Sequence, residues 1–242
     1  MTKGAPRGAS LVRRASWVVR DWAYAAAWQL RSVAPIPADA YRSGSLRPVV
    51  VVPGIYETWR FMRPLMDALH ERGHPIHVVA ELRHNARTIP ESAALLADTI
   101  ARNDLRHALL LAHSKGGLIG KFAMEHLDPD ARIDRMIAVA TPFAGSAYAR
   151  FAPGRSLRAF RAADPVLAAL AHEVGANRRI ASVYGVFDTM IPEGSELPGA
   201  ENRQLPVGGH FRILGDRRTV AAVLEIAGDA APDAPRGASV GS

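Results

Sequence analysis

The feature that most restricts how this chain can fold is the alternation of short apolar runs with segments of helical periodicity. Val49-Val50-Val51-Val52 is wholly β-branched and ends in Pro53-Gly54. A run with no polar alternation predicts a strand covered on both faces. The stretch 107–112, apolar from Ala108 to Ala112, predicts another. Further strands are expected over 75–82, 136–140 and 180–186, with a short one over 202–207. Helical spacing marks 57–72, where Phe61, Leu65, Met66 and Leu69 share a face and Gly73 follows. It also marks 90–102, 114–127 and 216–227. Strands alternating with helices predict an α/β fold, a mostly parallel central sheet with helices on both faces. The 242 residues suit one such domain with appendages.

Three segments stand outside this rhythm. Residues 144–178 add helical sequence after the fourth strand, long for a simple crossover, and are expected to form a small lid or pocket wall. The tail 228–242 is rich in Gly, Ala, Pro and Ser and is expected to be disordered. Residues 1–47 form a basic, aromatic N-terminal helix and linker, ahead of a domain over 48–227. They hold eight basic residues against Asp21 and Asp39, a net +6 of the chain's +7. The rest is nearly neutral and has no basic stripe interleaved with aromatics, so no nucleic-acid partner is expected.

In the segment 10–33, Trp17, Tyr24 and Trp28 fall on one helical face and Arg13, Arg20 and Arg31 on another. Arg20 and Asp21 interrupt the apolar continuity that a signal peptide needs, so a cytoplasmic location is expected. Two readings of this helix stay open. It packs on the domain through its tryptophans, or it lies in a membrane interface with its arginines toward anionic lipid. No apolar run is long enough to span a bilayer. The absence of cysteine excludes disulfides and thiolate metal sites.

The chemistry concentrates at Leu110-Leu111-Ala112-His113-Ser114-Lys115-Gly116-Gly117. An apolar strand runs straight into a helix with a serine at the turn. Small residues two before and two after Ser114 allow the backbone to turn sharply and lift the hydroxyl above the strand end. The Lys115 amide, at the helix N-terminus, then faces any negative charge developing beside Ser114. Asp188 follows the strand over 180–186 and precedes Ile191-Pro192. His210 is the only histidine after Asp188 and precedes the last helix. His113 adjoins Ser114, but neighbours on such a turn point apart, so it is expected to pack beneath the turn. The other histidines have no metal-binding spacing, and no cofactor is called for.

These residues resemble the nucleophile elbow of the α/β-hydrolases, and more closely the compact bacterial lipases and esterases, with Ala112 where the first glycine usually stands. The resemblance covers roughly 48–227 by element order. It implies Ser114 as nucleophile, His210 as general base and Asp188 as the acid orienting it, in the order that family uses. Asp164 is a fallback acid. The resemblance also places the second oxyanion donor, a backbone N–H, at Ile55 after Pro53-Gly54. Thr141-Pro142-Phe143-Ala144-Gly145-Ser146 is similar to a recurrent lipase segment. Tyr56, Phe143, Met190 and Ile191 are expected around an apolar acyl pocket.

The implied activity is carboxylic ester hydrolysis through an acyl-enzyme, with a small-molecule or lipid ester as substrate. Two alternatives remain. One is an acyltransferase on the same scaffold. The other is a non-catalytic, membrane-associated protein with the hydrolase fold, touching the membrane through residues 10–33.

Overall fold

The computed structural model describes residues 11–31, 37–150, 160–161 and 163–228. Six strands form one sheet: β1 (Val49–Val52), β2 (Ile76–Val78), β3 (Ala108–His113), β4 (Ile133–Val139), β5 (Ile180–Phe187) and β6 (Glu201–Gly208). Their order is β2-β1-β3-β4-β5-β6, and every pairing is parallel. Among the described residues, six α-helices accompany them: α1 (Leu11–Arg31), α2 (Arg63–Glu71), α3 (Ile89–Arg102), α4 (Lys115–His126), α5 (Pro165–His172) and α6 (Arg217–Ala227).

Side chains alternate across a strand, so β1 and β3 feed two cores. Val50, Val52, Leu110 and Ala112 pack with α3, α4 and α5 on one face. Val49, Val51, Leu109 and Leu111 pack with α2, α6 and Trp28 of α1 on the other. This explains the unbroken apolar runs, because neither face of either strand meets water. Helix ends follow their local signals. Thr88 and Glu91 form a reciprocal capping box at α3, Asp216 accepts from Arg218 N–H at α6 (3.0 Å), and Gly228 closes α6 at φ +89°.

The boundaries differ from the expected ones for identifiable reasons. The segment 57–72 becomes a 3-10 turn (Trp59–Met62) leading into α2. Glu57 lies outside it because Thr58, extended at φ −93°, ψ 163°, is the N-cap of that turn. β2 stops at Val78, and the chain turns through Ala80–Leu82 so that Leu82 enters the core. β4 starts earlier than expected and ends before Ala140, whose φ of +49° breaks the ladder. β6 is a full strand at the sheet edge, where Glu201 meets Arg135 and Arg203. Of the segment 144–178, a 3-10 turn (Ala147–Arg150) and α5 are seen. Residues 151–159 and 162 of that segment, and the tail 229–242, lie outside the described residues. Ser10 and 32–36, at the ends of the expected N-terminal helix, also lie outside them.

α1 packs on the domain. Trp17 and Trp28 are buried, Trp17 stacks on Phe187 (5.6 Å between ring centroids), and Trp28 meets Tyr24 (6.0 Å). Among the described residues, no helix is long and apolar enough to cross a membrane.

The order of the strands fixes where a site can lie. The chain leaves β1 for β2 on one side and returns past β1 to β3 on the other. In such sheets a crevice opens at the carboxyl ends of the strands flanking this reversal. The loop after β1 and the turn after β3 are therefore brought together. Gly116, in the first turn of α4, lets them approach: a Cβ there would lie 2.0 Å from the Val52 carbonyl oxygen. Gly116→Ala is expected to lower stability by about 1–3 kcal/mol, because backbone and not a flexible side chain must give way. Urea unfolding monitored by circular dichroism checks this.

Candidate active site

β3 delivers Ser114 into a strained turn. Its backbone sits at φ +51°, ψ −120°, immediately before α4. Conformations of this kind cost a non-glycine residue about 1–3 kcal/mol and persist only where packing enforces them. Here the enforcement comes from both sides. Ser114 N–H donates to the Val139 carbonyl (2.9 Å), and its own carbonyl accepts from Gly117 N–H (3.1 Å).

The loops after β5 and β6 bring Asp188 and His210 to this hydroxyl. His210 Nε2 lies 3.0 Å from Ser114 Oγ, and His210 Nδ1 lies 2.8 Å from Asp188 Oδ2. A carboxylate can only accept, so Nδ1–H donates to Asp188 and Nε2 is left as the acceptor for the serine hydroxyl. Asp188 also accepts from the amides of Met190 (2.7 Å) and Ile191 (3.0 Å), which fix its carboxylate. The three side chains named from the sequence are thus brought together. Asp164 instead caps α5, accepting from Val166 and Leu167 N–H.

The electrostatics suit the pair. Burial alone would lower His210, but the charge and hydrogen bond of Asp188, with Glu57 and Asp21 beyond, hold it above its ordinary 6.5. Burial would raise Asp188. His210 and the two backbone amides outweigh that and hold its carboxyl below the ordinary aspartate value.

A cavity of about 150 Å³ opens beside Ser114 and His210, walled by Ile55, Pro142, Ala149, Phe160, Met190 and Ile191. Met190 and Ile191 stand where the sequence placed them. Tyr56 and Phe143 do not line it. Tyr56, at φ +59°, is 50% exposed, while Phe143 is buried in the core on the α3, α4 and α5 face of the sheet. An apolar side chain next to a site motif more readily joins the core beneath it than the cavity above.

Ile55 borders the cavity, and Lys115 begins α4, where a helix leaves its first amides without intrahelical partners. The Lys115 side chain points away from Ser114 and is buried. Its ammonium donates to the Asn85 carbonyl (2.8 Å) and to that of Arg87. Burial pushes it down to about 8.

Several residues around the site were not expected to matter. Glu57, buried beside the cavity, accepts from Gly54 N–H (2.8 Å) and lies 2.9 Å from His113 Nδ1. His113, beneath the turn as expected, reaches the His210 carbonyl with Nε2 (3.0 Å). Asn85 donates to the Pro53 carbonyl (2.7 Å). Asp21 of α1 is buried against the His210 loop. Its sequence signal was present, since Trp17, Asp21, Tyr24 and Trp28 share one face. An acid on the buried face of a helix must find donors.

The fold has known relatives in structure. A mature lipase from Bacillus licheniformis is similar to this chain with a TM-score of 0.61 at 16% identity, covering 81% of this chain and 94% of the lipase. The α/β hydrolase domain-containing protein 10 from mouse gives a TM-score of 0.53 at 13% identity, covering 77% and 90%. A hydrolase from Pseudomonas aeruginosa gives 0.51 at 16%, covering 76% and 92%. No protein-family model matches the sequence, and no curated protein matches it. The chain has the α/β-hydrolase fold.

NMR titration of the His210 ring is expected to give a midpoint above 6.5. In Asp188→Asn the midpoint should fall by about 1–3 pH units, because a neutral amide no longer favours the imidazolium.

Proposed function

We propose that this protein is a serine hydrolase that cleaves carboxylic esters through an acyl-enzyme on Ser114. The observation that carries the reading is the unbroken line from Asp188 through His210 to Ser114, at 2.8 Å and 3.0 Å, ending on a strained turn beside an apolar cavity. His210 takes the serine proton as Oγ attacks the acyl carbonyl, and Asp188 stabilises the imidazolium that results. The carbonyl electrons move onto oxygen, where the amides of Ile55 and Lys115 are the proposed donors. Removing one such donor typically costs about 3 kcal/mol of barrier. Collapse expels the alcohol, protonated by His210, and water then releases the acid by the same steps. The apolar cavity favours an apolar acyl group. The structural likeness to a lipase is support from fold alone.

The test is hydrolysis of p-nitrophenyl esters. Wild type should turn over and Ser114→Ala should lose about 10³-fold or more. Activity surviving in Ser114→Ala would remove Ser114 from the role. Product analysis with an added alcohol distinguishes an acyltransferase, which would return a new ester in place of the acid. Activity should rise with pH through a midpoint above 6.5, since only neutral His210 accepts the proton and Asp188 holds it protonated to higher pH.

A membrane partner rests on a separate observation. Val12, Val19, Trp22 and Leu30 are exposed along α1, with Arg13, Arg20 and Arg31 exposed beside them, a combination that suits an anionic bilayer surface. Phosphatidylglycerol vesicles should pellet the protein at low salt, and Trp22→Glu should weaken this by several-fold. Equal pelleting of both forms would remove the idea.

A further inference from the structure

We propose that Asp21 is a positioning residue for the general base: from α1, it clamps the backbone of the His210 loop and so sets the imidazole between Ser114 and Asp188. The inference rests on the serine-hydrolase reading and extends the machinery to a segment outside the α/β core.

Asp21 is 1% exposed, so its carboxylate depends on protein donors. It has three. Oδ2 accepts from His210 N–H (2.9 Å), and Oδ1 accepts from Phe211 N–H and Arg212 N–H (both 2.8 Å). These consecutive amides open the 3-10 turn Arg212–Gly215, which offers no internal acceptors for them. One anion gathering three successive backbone donors is a nest, and it fixes all three peptide planes together.

The fit is close on the loop side as well. Gly209 has φ +115°, and a Cβ there would lie 2.6 Å from Asp21 Oδ1. A Cβ on Gly208 would lie 2.2 Å from the Trp17 ring. The Gly208-Gly209 pair before the base is thus what lets α1 lie directly against the loop. From the opposite side, His113 Nε2–H donates to the His210 carbonyl, and Glu57 fixes His113. His210 is therefore held at its amide by α1, at its carbonyl by β3 and at its ring by Asp188. Misplacing such a group by about 1 Å can cost about 10²-fold in rate.

Charge gives the role a second readout. The groups facing His210 are Asp188 after β5, Glu57 after β1, His113 of β3, Asp21 of α1 and Arg212 in its own loop. Asp21 and Glu57 add to the negative field that favours the imidazolium.

The experiment uses the full chain, with Asp21→Asn and Asp21→Glu compared with wild type, each normalised to its folded fraction by near-ultraviolet circular dichroism. Three quantities are measured: hydrogen exchange of the His210–Arg212 amides, kcat and KM for a p-nitrophenyl ester, and the acid limb of the pH profile. In Asp21→Asn, exchange should accelerate and kcat should fall about 10–100-fold with KM nearly unchanged. The acid limb should move to lower pH. Asp21→Glu keeps the charge but displaces it by a methylene, so the pH limb should return while kcat stays low. Trp28→Leu on the same helix, remote from the base, should destabilise without changing kcat of the folded fraction. Faster exchange with wild-type kcat would overturn the positioning role, and unchanged exchange would overturn the clamp. If wild type hydrolyses no ester and Ser114 takes no fluorophosphonate, the serine-hydrolase reading fails and the catalytic role with it. Exchange would still report the clamp.

Discussion

The approach of His210 Nε2 to Ser114 Oγ depends on nearly every element of this fold. The two residues are 96 positions apart in the chain, yet their side chains meet at 3.0 Å. A hydrogen bond in water offers little net free energy, so it cannot assemble the loops that carry it. It can form only where a rigid sheet has already placed those loops. β3 and the turn after it fix Ser114, the loops after β5 and β6 bring Asp188 and His210, and reversal of strand order beside β1 opens the crevice between them.

Burial then makes the arrangement chemically useful. His210, Asp188, Glu57, His113 and Asp21 are all shielded from solvent or nearly so, and each has a specific partner. Taking these groups out of water without partners would cost several kcal/mol each. With partners, the cost becomes orientation. The Asp188 carboxylate is spoken for by two amides and a ring, and the ring by a carboxylate and a hydroxyl. The peptide groups of His210 are held from both sides. This leaves the hydroxyl proton of Ser114 as the group with a defined place to go.

Much of this was legible in the sequence. The runs at 49–52 and 108–112 read as strands covered on both faces because their apolar character is continuous. Ser114, Asp188 and His210 stood out because each follows a strand, in the order that the resemblance to the α/β-hydrolases implies. Other features were hidden by the kind of signal they give. Asp21 read as an interruption of an apolar helix, when its position on the Trp17-Trp28 face was itself a sign of buried donors. Glu57 and His113 are joined across 56 residues by tertiary packing, which no local spacing encodes. Tyr56 and Phe143 were expected at the pocket from proximity to motifs. Side-chain direction depends on backbone dihedrals such as the positive φ at Tyr56, and these are set by the surrounding loop.

Under the proposed function, the Ser114 hydroxyl is made nucleophilic by His210 and faces the amides of Ile55 and Lys115. The decisive measurement is a crystal structure after reaction with a phosphonate inhibitor. Phosphorus should be bonded to Ser114 Oγ, with its non-ester oxygen within hydrogen-bonding reach of both amides and His210 still joined to Asp188. An adduct on another residue, or an adduct at Ser114 whose oxygen points away from both amides, would contradict it.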